Sequence, residues 1–257
     1  MSDGKLQLFG YYIENRSIQA ILDHYFQDHK IAFEKPLFVA CANPHSLVIA
    51  SKDPLFHKAL RSADILLPDG SGIVLAARLL KQPIHGKIAG YDFFYSLTQG
   101  LNARGGSRYF FLGSTEYVLV KIEERLKLEF PKINVCGTYS PPFKKDFDEK
   151  DTRAMIRAIN ESNPDVLWVG MTAPKQEKWI YANKERLNVK VIGAIGAVFD
   201  FYAGTKKRSS EIWIKLGLEW LPRFLREPRR LWERNLKSTP IFLYWVLREK
   251  IVGAHRS

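Results

Sequence analysis

The chain has 257 residues, 46% of them hydrophobic and 26% charged, and its 39 Lys and Arg against 27 Asp and Glu give a formal charge of +12. Such a length and apolar content suit one large α/β domain with an appendage and argue against disorder. Cys41 and Cys136, far apart and each in an apolar run, form neither a zinc signature nor a disulfide framework and read as reduced core residues.

Residues 1–5 are polar and do not lead a charged region into an apolar one, so no signal peptide is expected and secretion is not indicated. Beyond them, short apolar runs at 37–42, 65–67, 109–112, 133–138, 166–169 and 189–195 predict buried strands. Amphipathic stretches at 44–62, 72–81, 91–102, 115–129, 149–162 and 174–187 predict the helices between them. Strands buried on both faces and alternating with helices favour right-handed crossovers and a mainly parallel, Rossmann-like sheet flanked by helices. Ligands of open parallel sheets bind beyond the carboxyl ends of the strands, which directs attention to the residues just after each apolar run.

After the first run stands Asn43-Pro44. After the second stands Pro68-Asp69-Gly70-Ser71-Gly72, which sets one carboxylate and open backbone before a helix; Asp69 is either a general base or a turn and cap residue. Gly113-Ser114-Thr115 is a tight turn into a helix that suits a phosphate only weakly, and neither a dinucleotide fingerprint nor a P-loop is present. The turn 140–145 is a loop rather than a domain boundary. Asp146 and Asp148 sit among lysines, where solvation is their expected role.

Ala173-Pro174-Lys175-Gln176-Glu177 opens a helix with proline in its first turn. Gln176 can meet a sugar hydroxyl or an amide and Lys175 a phosphate, or the segment is a capped helix start with a solvated charge pair. The stretch 193–204 holds three glycines around Phe199-Asp200-Phe201 and allows close approach either of ligand to backbone or of helix to sheet. Six histidines lack ligand spacing and no pair of acids sits at a strand end, so neither a metal site nor a cofactor is expected.

From residue 206 the rhythm of strand and helix stops. Residues 206–257 hold thirteen Lys and Arg and five acids, so this stretch carries +8 of the total charge and reads as a basic, aromatic-rich helical appendage to a catalytic domain over 1–205. Trp213, Leu216, Trp220 and Phe224 recur at helical spacing beside Arg223, Arg226, Arg230 and Arg234, a pattern suited to a greasy, anionic surface. The apolar run 241–247 is far shorter than the ~20 residues a spanning helix needs, so the chain is expected to lie on a membrane rather than cross it.

Read together, these segments resemble the WecG/TagA/CpsF family of bacterial glycosyltransferases, glycosyltransferase family 26, over about residues 38–236. The motifs that carry the likeness are Asn43-Pro44, Pro68-Asp69-Gly70, Gly90-Tyr91-Asp92, Ala173-Pro174-Lys175-Gln176-Glu177, Phe199-Asp200-Phe201 with Gly204 and Arg208, and the run from Gly217 through Leu231. The resemblance implies a fold of the glycosyltransferase E type and an inverting, peripheral membrane enzyme at the cytoplasmic face of the bacterial inner membrane. It also implies a UDP-sugar donor and a polyprenyl-diphosphate-linked acceptor in cell-surface polysaccharide assembly. Asp69 is then the candidate base, with Asn43, Gly70, Lys87, Lys175, Gln176, Asp200 and Arg208 around the donor and Arg223, Arg226 and Arg230 on the diphosphate.

The chain departs from the family at Cys41, where a Thr is usual, at Lys87 in place of Arg, at Arg208-Ser209-Ser210, and at Pro222 in place of an aromatic residue. Lys87 keeps the charge but lacks the bidentate fork of arginine, and these changes suggest a different donor sugar or acceptor. The expected partners also include an anionic membrane surface and exclude nucleic acid, and a homo-oligomer with a second copy of the chain is left open. The alternative to the enzyme is a catalytically inactive protein that binds lipid diphosphate at the membrane surface.

Overall fold

The computed structural model describes residues 4–26, 35–207, 213 and 237–254. Its centre is a six-stranded sheet in the order β4-β3-β8-β7-β5-β6, with every neighbouring pair parallel. The strands are β3 (Leu37–Ala42), β4 (Ile65–Pro68), β5 (Ser107–Gly113), β6 (Ile133–Tyr139), β7 (Val166–Gly170) and β8 (Val191–Ala194). Alternate side chains serve opposite faces, as the two-residue repeat of a strand requires. Phe38, Ala40, Phe110, Leu112, Leu167 and Val169 join one core cluster, whereas Leu37, Val39, Tyr109, Phe111, Val166 and Trp168 join the other.

Helices cover both faces, which is the Rossmann-like arrangement that the near-continuous apolar runs imply. The first core takes side chains from α2 (Pro44–Ala50), α3 (Pro54–Arg61), α4 (Ser71–Leu79), α7 (Glu149–Ser162) and α8 (Lys175–Asn183). The second takes them from α1 (Ile18–Phe26), α5 (Gly90–Ala103), α6 (Glu116–Glu129) and α9 (Val198–Tyr202). A final helix, α10 (Thr239–Ala254), packs on α2 and α4 and buries Phe242 and Val246 in the first core.

Two features differ from the sequence expectation. The single helix expected over 44–62 is two, because Asp53 caps a new helix with Pro54 in its first turn; proline brings no N–H and clashes with the preceding turn of a continuous helix. An antiparallel hairpin, β1 (Lys5–Leu8) with β2 (Tyr11–Glu14), precedes the sheet and turns through Phe9 and Gly10, both at positive φ. It buries Leu6, Leu8, Tyr11 and Ile13 beside β4. Elsewhere the ends move by a few residues: the helix expected over 174–187 closes as a 3-10 turn at Lys184–Arg186, and the strand expected over 189–195 spans Val191–Ala194.

Candidate active site at the carboxyl rim of the sheet

β3 and β8 are neighbours, yet the chain leaves β3 for α2 on one face and leaves β8 for α9 on the other. Diverging exits of this kind open a crevice at the strand ends. A crevice of about 170 Å³ lies there, walled by Cys41 near the end of β3 with Asn43 and Ser46 beyond it, Asp69 and Gly70 after β4, Ala89 to Tyr91 at the start of α5, Ala173, Gln176 and Glu177 around the start of α8, and Ala194 at the end of β8 with Ile195, Ala197, Val198 and Phe201 beyond it. Whole-ligand pockets run to about 300–1,000 Å³, so this space is smaller than a whole drug-sized ligand fills.

Asp69 is fixed by its backbone, whose N–H donates to the Ala42 carbonyl at 2.8 Å and to the Leu67 carbonyl at 2.9 Å. Gly70 follows at φ +92°, a region that side chains rarely enter. Two residues on, a Cβ at Gly72 would stand 2.5 Å from Pro44 Cγ, so glycine lets α4 start directly against α2. Asn43 caps α2: its Oδ1 accepts from the Ser46 N–H at 2.9 Å while Ser46 Oγ accepts from the Asn43 N–H at 2.8 Å.

Three helices begin in the crevice wall without a side-chain cap: α4 after Gly70, α5 after Ala89 and α8 after Pro174, which follows a cis Ala173–Pro174 bond. First-turn amides and the positive ends of helix dipoles favour an anionic group such as a diphosphate. The carboxylates bring the opposite charge to the same wall. Burial, then the charges of Asp69 and Glu177, push the Cys41 thiol well above its ordinary value, so it stays protonated. Burial lifts Glu177 to about 7, opposed by hydrogen bonds from the Gln176 amide and its own N–H.

Asp69, Asn43, Gly70 and Gln176, all singled out in the sequence, thus meet in one crevice. Other candidates lie off its wall. Lys175 Nζ stands 3.5 Å from the centre of the Phe147 ring and donates to the Lys144 carbonyl. Asp200 pairs with Lys206 at 2.7 Å and accepts from the Thr205 hydroxyl. Lys87 is half-buried just before Ile88, whose N–H donates to the Pro68 carbonyl at 3.0 Å. Arg208, Arg223, Arg226 and Arg230, with the rest of the aromatic and basic stripe except Trp213, lie outside the described residues.

The turn at Gly113 is also off the crevice wall, and its Thr115 caps α6 through the Val118 N–H at 3.4 Å. Asp148 caps α7 and pairs with Lys144. Among the described residues, no group of three His, Cys, Asp or Glu could hold a metal ion. Glu177 is the wall residue whose setting the sequence did not reveal. Beside Lys175 it reads as half of a solvated pair, yet it is 3% exposed.

Named relatives resemble this chain in sequence. The profile of the Glycosyl transferase WecG/TagA/CpsF family matches residues 6–256. An N-acetylglucosaminyldiphosphoundecaprenol N-acetyl-beta-D-mannosaminyltransferase of Bacillus spizizenii is 34% identical over 86% of this chain and 82% of its own. Enzymes of the same name from Bacillus subtilis, 31% identical over 92% of this chain and 88% of theirs, and Staphylococcus aureus, 28% over 83% and 81%, are similar too. With that profile covering nearly its whole length, the chain belongs to the WecG/TagA/CpsF family of glycosyl transferases.

Proposed function

We propose that this protein is an inverting glycosyltransferase that moves a sugar from a UDP-sugar to a polyprenyl-diphosphate-linked saccharide in cell-surface polysaccharide synthesis. The observation that carries the reading is Asp69, held by its backbone at the ends of β3 and β4 in a crevice into which three helices without side-chain caps open. Relatives named N-acetylglucosaminyldiphosphoundecaprenol N-acetyl-beta-D-mannosaminyltransferase support the transfer of a sugar to a lipid-diphosphate-linked acceptor.

In the proposed reaction the Asp69 carboxylate takes the proton of an acceptor hydroxyl. The oxygen's electron pair forms the new bond at the anomeric carbon as the bond from that carbon to the diphosphate oxygen breaks, and UDP leaves from the opposite face with the electrons of the broken bond. Fixed donors aimed at the leaving oxygens stabilise charge without reorganising; the first-turn amides of α4, α5 and α8 suit this, with Lys87 and a tail arginine as proposed cations. Asn43, Gly70 and Gln176 are assigned to the donor pocket, and Lys175 and Asp200 to its surroundings. Arg208, Arg223, Arg226 and Arg230 are assigned to the diphosphates, with residues 206–257 as the membrane-facing part.

Release of UDP from a panel of UDP-sugars, with a short-chain prenyl-diphosphate N-acetylglucosamine as acceptor, tests the reading. Asp69→Asn is expected to cut turnover about 10²-fold or more while the fold stays intact. Near-normal turnover by this variant removes Asp69 as base. No heat with any UDP-sugar in calorimetry favours instead a protein that binds lipid diphosphate and does no chemistry.

A further inference from the structure

Gln176 and Glu177 form one unit in the crevice wall. The Met171 N–H can only donate, and it donates to Gln176 Oε1 at 3.1 Å, which leaves the amide nitrogen facing the other way. That nitrogen, Nε2, donates to Glu177 Oε1 at 2.8 Å. Gln176 is 4% exposed and Glu177 3%, so neither link is diluted by bulk water. A backbone donor on one side and a carboxylate on the other permit a single orientation of this amide.

Holding Glu177 there is costly. Its second oxygen, Oε2, is buried and has no hydrogen-bond partner among the described residues. A buried carboxyl oxygen left unmatched destabilises a fold by roughly 1–3 kcal/mol, more when it is charged. A methionine of similar length fills the same space without that cost. Nothing in the packing of α8 therefore calls for an acid at 177, whereas fixing the Gln176 amide does.

We propose that Glu177 is a positioning residue: its carboxylate clamps the Gln176 amide so that the second Nε2 N–H is offered to a hydrogen-bond acceptor of the bound donor substrate. The acceptor is a carbonyl or diphosphate oxygen of the UDP-sugar, so the inference rests on the glycosyltransferase reading. It adds that Gln176 acts as a donor and that an otherwise unmatched buried acid makes it one. With its carboxyl lifted to about 7 by burial, Glu177 gains its negative charge near neutrality, and the clamp strengthens as it does. Asp69 and Cys41 line the same pocket and are identical in every variant used below.

The test is steady-state transfer from UDP-N-acetylmannosamine to the short-chain acceptor. Glu177→Met removes the clamp and should raise the donor KM about tenfold with kcat nearly unchanged. Glu177→Gln, whose amide oxygen still accepts from Nε2, should stay within about threefold of wild type. In a Gln176→Ala background, Glu177→Met should add nothing, because the residue acts only through the amide. Wild-type KM should fall as pH rises through 7, and that of Glu177→Gln should not.

An unchanged KM in Glu177→Met, an equal cost with and without Gln176, or a Glu177→Gln no better than Glu177→Met would each overturn the proposal. Binding of UDP alone locates the acceptor: weakened UDP binding in Glu177→Met places it on the nucleotide, and weakened UDP-sugar binding alone places it on the sugar. The side-chain amide signals of Gln176 in nuclear magnetic resonance need no activity. They should titrate near pH 7 in wild type but not in Glu177→Gln, and signals flat in both would sink the clamp even if the protein transfers no sugar. Absence of transfer from every UDP-sugar of the panel, with a titrating amide, would instead remove the proposed function and leave the clamp.

Discussion

Burial sets how Glu177 links pH to stability. Its carboxyl rises from 4.5 to about 7 in the folded protein, so between those values the folded chain keeps a proton that the unfolded chain has released. Stability from this group is thus complete below pH 4.5, declines as pH rises to about 7, and is level above it. The shift corresponds to a loss of about 3 kcal/mol across the window. Glu177→Gln removes the titration, so its stability relative to wild type should grow from pH 4.5 to 7 and then stay constant. Urea unfolding of both proteins at pH 5, 6, 7 and 8 reads this directly, and a difference independent of pH would show that Glu177 does not carry the proton. Asp69 and Gln176 were legible in the sequence because strand ends and helix starts mark a rim. The setting of Glu177 was not, because it depends on direction around a helix. Residues two apart do not share a face, so Lys175 reaches out to Lys144 and Phe147 while Glu177 turns inward.

The junction of α2 and α3 places Asp53 in two roles. Its Oδ1 accepts from the Leu55 and Phe56 N–H groups at 3.1 and 3.0 Å, and its Oδ2 meets Lys178 of α8 at 3.0 Å, tying the start of α3 to the helix that bears Gln176 and Glu177. The Phe56 N–H, helped by Lys178 and Leu55, holds the carboxyl below its ordinary 3.8. Its contribution is therefore present above that value and fades as pH falls through the lowered one. Asp53→Ala should lose about 1–2 kcal/mol through the cap. Asp53→Asn, which keeps the cap and loses the half-buried pair, should lose under about 1 kcal/mol. Equal losses in thermal unfolding at pH 7 would assign the effect to Lys178 instead. Elements buried on both sides were the legible ones: β3, β5 and β7 read as apolar runs because helices cover both faces. The hairpin escaped because four-residue strands carry little periodicity and Phe9-Gly10 is a weak turn signal. The break at Asp53-Pro54 was written in the sequence, but continuous apolar spacing on either side masked it.

At the scale of the molecule, the proposed function requires a head that handles a nucleotide sugar to meet an acceptor held in a lipid bilayer. No helix among the described residues is long and apolar enough to cross a membrane. α10 offers another means of contact. Phe242 and Val246 face the core, with Phe9 edge-on to Phe242 at 5.5 Å, while Leu243, Tyr244, Leu247 and Ile251 are 41–63% exposed on the other side. Arg248 and Lys250 lie on the same helix, in the stretch that carries +8. An exposed apolar stripe edged by cations suits the headgroup boundary of an anionic leaflet, where each basic residue near the surface adds roughly 1 kcal/mol. Removing everything after residue 207 would also take Phe242 and Val246 out of the core, so loss of binding would then report unfolding as readily as loss of a contact. Leu247→Glu with Ile251→Glu alters the outer face alone. This pair should keep the wild-type melting temperature and lose most binding to phosphatidylglycerol vesicles in flotation. Binding by the wild type should fall as salt screens the cations. Unaltered flotation of the pair would move the membrane contact off α10 and onto other parts of the basic appendage.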